Sequence, residues 1–363
     1  MKKCICSIVT ASHYCYAKTL MMSAASSEPD VDRYVLIVDG TADLQDSQDD
    51  IWHSLFLNDL DLGASEIEMK FQYDAFELCC ALKPFLIKQL FSKGYEAVVY
   101  LDADILLMSP LDHLWSVLKD YSIVLTPHVL KPMPEDSGQP DDVYMLLSGV
   151  FNGGFYAVAN DSNGNEFLDW LARRLKRHSI RNDDSGFFVD QRWLDFVPNF
   201  FSGFLACDHP GYNLSYWNLH ERDLLYGDGV LKANGERVVF VHFSTFDVHS
   251  ACFSALTRKA DDKLSLLKPV LQDYADKLLD AGVADCLSKP YGFATYSDGQ
   301  VISSRDRAFY RDDSSARDRY PDPFEVSERD NYRSYVSRLC CQRAWSLRRS
   351  KMFSLLSKLG SRK

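Results

Sequence analysis

The sequence lacks a hydrophobic run of the roughly 18 residues that a membrane-spanning helix needs. Its start, MKKCICSIVTASHYC, has two lysines but neither the apolar segment nor the small-residue cleavage site of a signal peptide. This stretch is more typical of a first β-strand. These absences predict a cytoplasmic protein.

The sequence also lacks a pair of CxxC units, although it contains ten cysteines. Structural zinc sites are usually built from such pairs, so this pattern argues against a zinc site. Without an export signal, the pattern indicates reduced and mostly buried thiols.

The last part of the chain has no acidic residue. Residues 331–363 contain nine lysines and arginines and so carry a charge of +9. Because the whole chain has a net charge of −11, residues 1–330 carry −20. An acidic body is a poor partner for nucleic acid, and we expect none. From Tyr335 to about Leu359, apolar and basic residues alternate as in interfacial helices, which predicts contact with an anionic membrane surface on the inner face of the membrane.

What is present indicates a large α/β protein. The chain has 363 residues, of which 46% are hydrophobic, enough for a substantial core. Apolar segments at 5–11, 33–39, 96–102, 122–127 and 151–159 alternate with segments of helical periodicity. We predict an α/β domain over residues 1–255, a helical or irregular extension over 256–330 and a basic amphipathic tail over 331–363.

Two aspartates stand directly after the most apolar of these segments, in YLDADILLMSPL. Asp102 and Asp104 are separated by one residue, so an extended chain directs both carboxylates to one side. Ligands of open α/β sheets bind beyond the carboxyl ends of the strands. Hard cations such as Mg²⁺ or Mn²⁺ prefer oxygen ligands, so the pair is a candidate metal site; the alternative is a solvated strand end.

Three later motifs are ambiguous one by one. FNGGF brings Asn152 and Gly153 to the start of a strand, where it is either a plain turn or a close approach to a ligand. Asp190 and Gln191 stand in an apolar setting, as a buried hydrogen-bonded pair or as a site. His242 ends the apolar segment VVFVHF, as a core residue or as a nitrogen ligand for a metal.

An aspartyl phosphatase is an alternative interpretation of the sequence. LIVDGT, at residues 36–41, is similar to the nucleophile segment of such enzymes, but Ile37 occupies the position of the nucleophilic aspartate. The sequence DADIL also lacks the glycine and threonine that would follow. This interpretation is therefore not favoured.

Taken in order, these motifs resemble GT-A-fold nucleotide-sugar glycosyltransferases, in particular the retaining group that includes glycogenin and the bacterial lipopolysaccharide galactosyltransferases. The resemblance covers roughly residues 3–250. It rests on SIVTASHYCYAKTLMMSAAS, on LKPFLIKQLF with AVVYLDADILLMSPLDHLW, and on FNGGFYAV, VDQRWLDFV and VHFS.

The resemblance implies a GT-A fold, with a mixed Rossmann-like sheet, flanking helices and a C-terminal helical extension. It implies a divalent cation, Mn²⁺ or Mg²⁺, held by Asp102, Asp104 and His242. It implies transfer of a sugar, with retention, from a nucleoside-diphosphate sugar (UDP-sugar favoured) to a glycan, lipid-linked or protein acceptor. Catalytic roles fall on Gln191, Asp190 and Asn152. The donor contacts implied or suggested are Thr10, Ala11, Ser12, Tyr14, Asp39, Lys83, Asp102, Gly153, Tyr212, Trp217 and Arg222.

The sequence departs from the group in HFSTFDVHS, where the usual glycine and the Lys-Pro-Trp sequence are missing. Lys83 or Arg222 is the candidate replacement for the diphosphate-binding lysine. The stretch GYNLSYWNLHER is also outside the galactosyltransferase pattern and is either a substrate-side feature or a packed aromatic loop. Two alternatives stay open: an inactive GT-A-like carbohydrate- or nucleotide-binding protein, and a sugar-phosphate nucleotidyltransferase.

Overall fold

A computed structural model describes residues 1–40, 51–136, 138–256 and 261–339. The strands are β1 (Lys3–Val9), β2 (Asp32–Ile37), β3 (His53–Phe56), β4 (Ala97–Leu101), β5 (Ile105–Leu107), β6 (Ile123–Pro127), β7 (Phe151–Ala159), β8 (Arg181–Asn182), β9 (Phe187–Phe188), β10 (Phe204–Ala206), β11 (Leu224–Gly227), β12 (Val230–Ala233), β13 (Glu236–Arg237), β14 (Phe240–His242), β15 (Phe246–Asp247) and β16 (Cys252–Phe253). The α-helices are α1 (Tyr14–Ser27), α2 (Ser65–Gln72), α3 (Ala75–Ser92), α4 (Asp112–Val117), α5 (Asp142–Ser148), α6 (Ser162–His178), α7 (Val197–Phe200), α8 (Asp261–Asp280), α9 (Val283–Leu287), α10 (Ser304–Asp312) and α11 (Ser314–Arg319).

Seven of these strands form the central sheet, in the order β10-β6-β7-β4-β1-β2-β3. Strand β7 runs antiparallel to β4 and to β6, and the other neighbours are parallel. The sheet is therefore mixed, and the predicted α/β class with a mixed sheet and flanking helices is confirmed. All residues of β4 and β7 are buried, as expected for strands covered on both faces.

A short antiparallel strand pair places the histidine beside the DxD segment. Strand β5 pairs with β14, with Ile105 opposite His242. Because β5 follows Asp104 directly, this register brings His242 next to the acidic segment.

The described residues form two compact units. One contains Met1–Leu62 and Ala75–Tyr291, and the other contains Gly63–Asp74 and the described residues from Gly292 onward. The first unit thus extends past the predicted boundary at residue 255. Among the described helices, none combines the length and the apolar character needed to cross a membrane.

The second unit has its own aromatic core. The ring of Phe71 packs edge-on against Tyr310 and Tyr332, at centroid distances of 5.0 and 5.3 Å. Buried Arg307 donates hydrogen bonds to the carbonyl oxygens of Phe71 and Tyr73 at 2.6 and 2.7 Å. The helices in this unit confirm the predicted helical extension, although the sequence of this region has weak periodicity. Of the predicted tail helix, residues 332–339 are helical and the remainder lies outside the described residues.

Candidate active site

Asp102, Asp104 and His242 meet at one point, as the motifs predict. The ligand atoms of the three side chains all lie within 4.8 Å of one another. Asp102 follows β4, Asp104 precedes β5, and His242 is the last residue of β14. These three strand ends bring together two oxygen donors and one nitrogen donor.

Within this cluster, burial and the attraction between His242 and Asp104 shift the pKa values of both groups in opposite directions. Nε2 of His242 lies 3.0 Å from Oδ1 of Asp104. Burial alone would lower the pKa of His242 and raise that of Asp104, but the mutual attraction raises the pKa of His242 and lowers that of Asp104. The site therefore favours an ionised carboxylate, the form that binds a cation.

Neighbouring residues fix the orientation of the histidine. Nδ1 of His242 lies 3.2 Å from Oδ1 of Asn213, and a neutral ring with its proton on Nδ1 presents the Nε2 lone pair to the aspartates. The indole of Trp217 packs edge-on against the imidazole at 5.2 Å between centroids. The stretch 211–222 thus supports His242 from behind, a role that the sequence left undecided.

Gly154 has no side chain to occupy the space beside the side chains of Asp102 and His242. A Cβ at this position would lie 2.4 Å from Cε1 of His242 and 2.9 Å from Oδ2 of Asp102. Any side chain would push the ligands apart. The glycine and the donor set both fit a small hard cation such as Mn²⁺ or Mg²⁺.

The acidic cluster borders a cavity of about 390 Å³ at the carboxyl ends of β1 and β4. This volume is in the range of small-molecule sites. Its lining combines apolar side chains with a few polar ones. The lining includes Thr10, His13, Tyr16, Phe76, Lys83, Tyr100, Asp102, Asp104, Phe243, Thr245 and Phe246.

The first loop forms one wall of the cavity. The Ala11 amide donates a 2.7 Å hydrogen bond to Oδ1 of Asp39, which follows β2. The Thr10 hydroxyl lies 2.9 Å from that of Ser12. The predicted residues Thr10, Ala11, Ser12 and Asp39 are therefore neighbours.

Tyr14 differs from the other residues of that prediction because its side chain is buried in the hydrophobic core. His13 and Tyr16 line the cavity instead, with their rings stacked at 5.6 Å. Sequence reasoning missed both residues. Their spacing of three at the start of a helix is a signal that could have found them.

Lys83 is the centre of a buried charge network. Its Nζ lies 2.9 Å from Oδ2 of Asp190 and 3.4 Å from Oδ1 of Asp102, and it donates to the Gly153 carbonyl at 2.8 Å. Burial alone would lower the pKa of Lys83, but the two carboxylates raise it above its ordinary value, so the ammonium stays charged. The Tyr156 hydroxyl also donates to Asp190. Lys83 and Asp190 are thus largely committed to protein partners.

Asn152 and Gln191 are held by the backbone around β7. Oδ1 of Asn152 accepts from the Gly154 amide at 3.0 Å, and its Nδ2 lies 3.1 Å from Nε2 of His128. Gln191 accepts from the Gly153 amide and donates to the Ser148 carbonyl, both at 2.8 Å. Both side chains are therefore oriented before any ligand arrives.

Two further candidates lie apart from this arrangement. Tyr212 packs edge-on against Phe155 and Phe240, in the hydrophobic core. Arg222 is buried and donates to the Glu221 carboxylate at 2.6 Å. Their surroundings are those of packing residues.

Comparison with known proteins gives a family match. Residues 33–197, less than half of the chain, match the family model of nucleotide-diphospho-sugar transferases. This span includes the DxD segment, Asn152, Asp190 and Gln191. The match confirms the predicted resemblance to nucleotide-sugar transferases.

Two proteins from Bacillus subtilis (strain 168), the uncharacterized proteins YfnF and YfnD, are similar in sequence to this chain. The chain is 25% identical to YfnF over 187 residues, which are 51% of this chain and 61% of YfnF. It is 25% identical to YfnD over 174 residues, 47% of this chain and 54% of YfnD. The matches thus span less than two thirds of either relative.

Two solved structures are similar to this chain. One is the galactosyltransferase LgtC in complex with donor and acceptor sugar analogues, with 13% identity, a TM-score of 0.44, and coverage of 79% of this chain and 97% of that one. The other is the glycosyltransferase GlyE of Streptococcus pneumoniae TIGR4, with 13% identity, a TM-score of 0.45, and coverage of 81% and 67%.

Proposed function

We propose, from the match of residues 33–197 to the family model of nucleotide-diphospho-sugar transferases, that the protein moves a sugar from a nucleoside-diphosphate sugar, with UDP-sugar favoured, to a glycan, lipid-linked or protein acceptor. The observation that carries the proposal is the convergence of Asp102, Asp104 and His242 beside the 390 Å³ cavity. A site that combines a cation-binding cluster with a cavity suits a ligand that bears a diphosphate.

The divalent cation, Mn²⁺ or Mg²⁺, would be held by Asp104 and His242 with Asp102. When bound, it supplies electrostatic stabilisation of the leaving diphosphate. Asn213 and Trp217 keep the histidine in place for this role. Gly154 keeps the space between the ligands open.

The nucleotide would occupy the wall formed by the first loop. Asp39 holds the loop through the Ala11 amide, and Thr10 and Ser12 offer hydroxyls there. His13 and Tyr16 offer stacked ring surfaces for a base or a ribose. We add these two residues to the predicted donor contacts.

The sugar would lie towards Asn152, Asp190 and Gln191, as the resemblance implies. Lys83 forms an ion pair with Asp190 and ties it to Asp102. Gln191 is fixed by Gly153 and Ser148, which makes it a rigid neighbour for the anomeric carbon. Lys83 therefore acts as a positioning residue here, and its predicted contact with the diphosphate is less favoured by its burial.

Measurement of nucleoside diphosphate release from a panel of nucleotide-sugars, with Mn²⁺, with Mg²⁺ and with chelator, tests the proposal. We expect release that depends on the cation and that Asp104→Asn abolishes. Asp112→Asn is a matched control, because Asp112 lies in the next helix outside the cluster. Release that persists in chelator would exclude the metal role.

The stereochemistry is a separate question. NMR of the anomeric proton in the first product formed reports retention or inversion. Retention is proposed from the resemblance. An inverted product would instead require a carboxylate to deprotonate the acceptor, and Asp190 would be the candidate.

The two alternatives predict different products. Release of pyrophosphate in place of nucleoside diphosphate would favour a nucleotidyltransferase. Nucleotide-sugar binding without turnover would favour an inactive binding protein, for which the missing Lys-Pro-Trp sequence and the engagement of Lys83 with two carboxylates are the supporting observations.

We also propose that the basic tail brings the protein to an anionic membrane from the cytoplasmic side. The support is its composition alone. A tail deletion that tests this should begin after residue 339, because Tyr332 and Val336 are buried in the aromatic core of the second unit.

A further inference from the structure

Large apolar side chains are exposed together on one part of the first unit. Leu146 in α5 is 70% exposed, and Phe200 in α7 is 54% exposed. Four more lie in the same two segments: Val143, Leu147, Val150 and Phe196. Single exposed apolar residues are normal on protein surfaces, but a group of this kind marks an interaction site.

Hydrogen bonds and ring contacts join the two segments into one surface. The Val150 amide donates to Oδ1 of Asp195 at 2.9 Å. The next residue, Phe196, stacks on Phe200 with centroids 5.3 Å apart and rings inclined by 19°. The rings of Phe196 and Trp193 lie 6.4 Å apart. The two segments that carry the exposed residues are thus in contact at Val150 and Asp195.

A strongly basic segment borders this apolar surface. Residues 173–181, RRLKRHSIR, contain five arginines and lysines and no acidic residue. Nε1 of Trp193 donates to the His178 carbonyl at 3.1 Å, and the Arg174 guanidinium lies 5.9 Å from the Trp193 ring centroid. Arg181 lies 5.2 Å from the ring centroid of Phe188. Arg174 and Arg181 therefore each lie beside an aromatic ring of the neighbouring segment.

We propose that residues 143–150, 173–181 and 187–200 form a docking face for an anionic lipid bilayer. Exposed Leu, Val and Phe side chains would enter the headgroup region, while Arg173, Arg174 and Arg181 would contact lipid phosphates. Aromatic side chains beside clustered arginines are the composition of interfacial membrane contacts.

The charge distribution favours a lipid surface over a second copy of the chain. A two-fold contact would place the two basic segments against each other, and like charges brought together oppose association. Acidic residues also lie in or beside the face, and one of them, Asp195, is paired with Arg192 at 2.5 Å. The others are Asp141, Asp142, Asp183, Asp184 and Asp190, the last of which is buried and paired with Lys83. None lies within the basic segment, which stays available for anionic headgroups.

This inference goes beyond the proposed function, since the docking face is made of other residues than the basic tail and does not depend on turnover. It also has a consequence for the site. Val150 is two residues from Asn152, and Gln191 begins the 3-10 turn that ends at Phe196. A bilayer on the docking face would therefore lie beside the proposed sugar-binding residues, which suits an acceptor anchored in lipid.

Vesicle flotation of the full-length protein tests the docking face. The probes are vesicles of phosphatidylcholine alone and vesicles that also contain phosphatidylglycerol. We expect flotation only with the anionic vesicles, and weaker flotation at high salt. We expect Arg173→Glu/Arg174→Glu, and separately Leu146→Asp/Phe200→Asp, to lower vesicle binding by more than about tenfold.

Matched controls change exposed residues of the same kinds elsewhere in the first unit: Lys119→Glu/Lys268→Glu, and Leu225→Asp/Leu279→Asp. Both should float like the parent protein. Unchanged thermal melting of every variant excludes unfolding as the cause. Equal flotation of the docking-face variants and the parent, or loss only when tail residues Arg348 and Arg349 are replaced, would overturn the proposal. The proposal would also be overturned if the parent protein bound no vesicles and sedimented as a dimer that only the docking-face variants disrupt.

Discussion

The Nζ of Lys83 lies 2.9 Å from Oδ2 of Asp190, and both side chains are almost completely buried. This ion pair connects α3 to the segment that carries Gln191, and the 3.4 Å contact of Lys83 with Asp102 extends it to the DxD segment. A structural contact of this kind makes the position of Asp190 dependent on a residue in another part of the chain.

Replacing Lys83 by methionine should destabilise the protein strongly. The change leaves Asp190 buried without its cation, which costs about 3–5 kcal/mol in free energy of unfolding. Urea denaturation measures the loss. Lys88→Met is the control, because Lys88 pairs with Asp169 on the exposed side of the same helix and should change stability by less than about 1 kcal/mol. Similar losses in the two variants would contradict the role of the buried pair.

Gly154→Ala should weaken the cation site without a change of ligand. The added Cβ would come within 2.4 Å of His242, so the imidazole or the strand must move. We expect lower Mn²⁺ affinity by calorimetric titration. Gly227→Ala is the control, since nothing lies within 4 Å of its added Cβ. Unchanged affinity in Gly154→Ala would mean that His242 is not a ligand.

Tyr16→Ala should weaken binding of the nucleotide-sugar, because it removes a ring that lines the cavity. We expect about a tenfold loss of affinity, equivalent to about 1.4 kcal/mol. Met22→Ala, on the exposed part of the same helix, is the control. Isothermal titration separates this effect from turnover. Loss of nucleotide-sugar binding in Tyr14→Phe, with no change in Tyr16→Ala, would instead support the sequence-based prediction that Tyr14 contacts the ligand.

Acid should destabilise the protein through His128. Burial lowers the pKa of His128 to about 4. The folded state keeps this ring neutral, with Nε2 3.1 Å from the Asn152 amide, while the unfolded chain takes up a proton at about pH 6.5. The contribution of His128 to the free energy of unfolding is therefore complete above about pH 6.5. It falls by about 3 kcal/mol as the pH is lowered towards 4.

Urea denaturation at pH 7 and at pH 4.5 measures this dependence. His128→Gln should be less stable at pH 7 and should lose less stability between the two pH values than the parent protein. His53→Gln, an exposed position, should keep the pH dependence of the parent. Equal pH dependence in the parent and in His128→Gln would exclude this group as the source.

The motifs of the site were predictable because each one contains its own local signal. An apolar segment that ends in two aspartates indicates a strand with a functional end, and the structure confirms the strand at Ala97–Leu101. The convergence of Asp102, Asp104 and His242 followed from the resemblance and is present in the structure. The apolar segments identified in the sequence at 96–102, 122–127 and 151–159 match strands β4, β6 and β7 to within one residue at each end.

Contacts between distant segments were not predictable in the same way. Sequence reasoning assigned Lys83 to the diphosphate and Tyr14 to the nucleotide, but Lys83 is paired with two carboxylates and Tyr14 is in the core. A helix turns by about 100° per residue, so a shift of two positions separates the buried Tyr14 from the cavity residue Tyr16. The pattern of the loop alone does not determine that rotation.

The α/β alternation, the acidic strand end and the order of the site motifs can be read from local sequence, because they depend on neighbouring residues and on strand and helix periodicity. Which side chains come together depends on how distant segments pack. The pairing of β5 with β14 sets the distance from Asp104 to His242, and the packing of α3 against the sheet commits Lys83 to Asp190. These distances follow from the simultaneous burial of many segments, which no single stretch of sequence encodes.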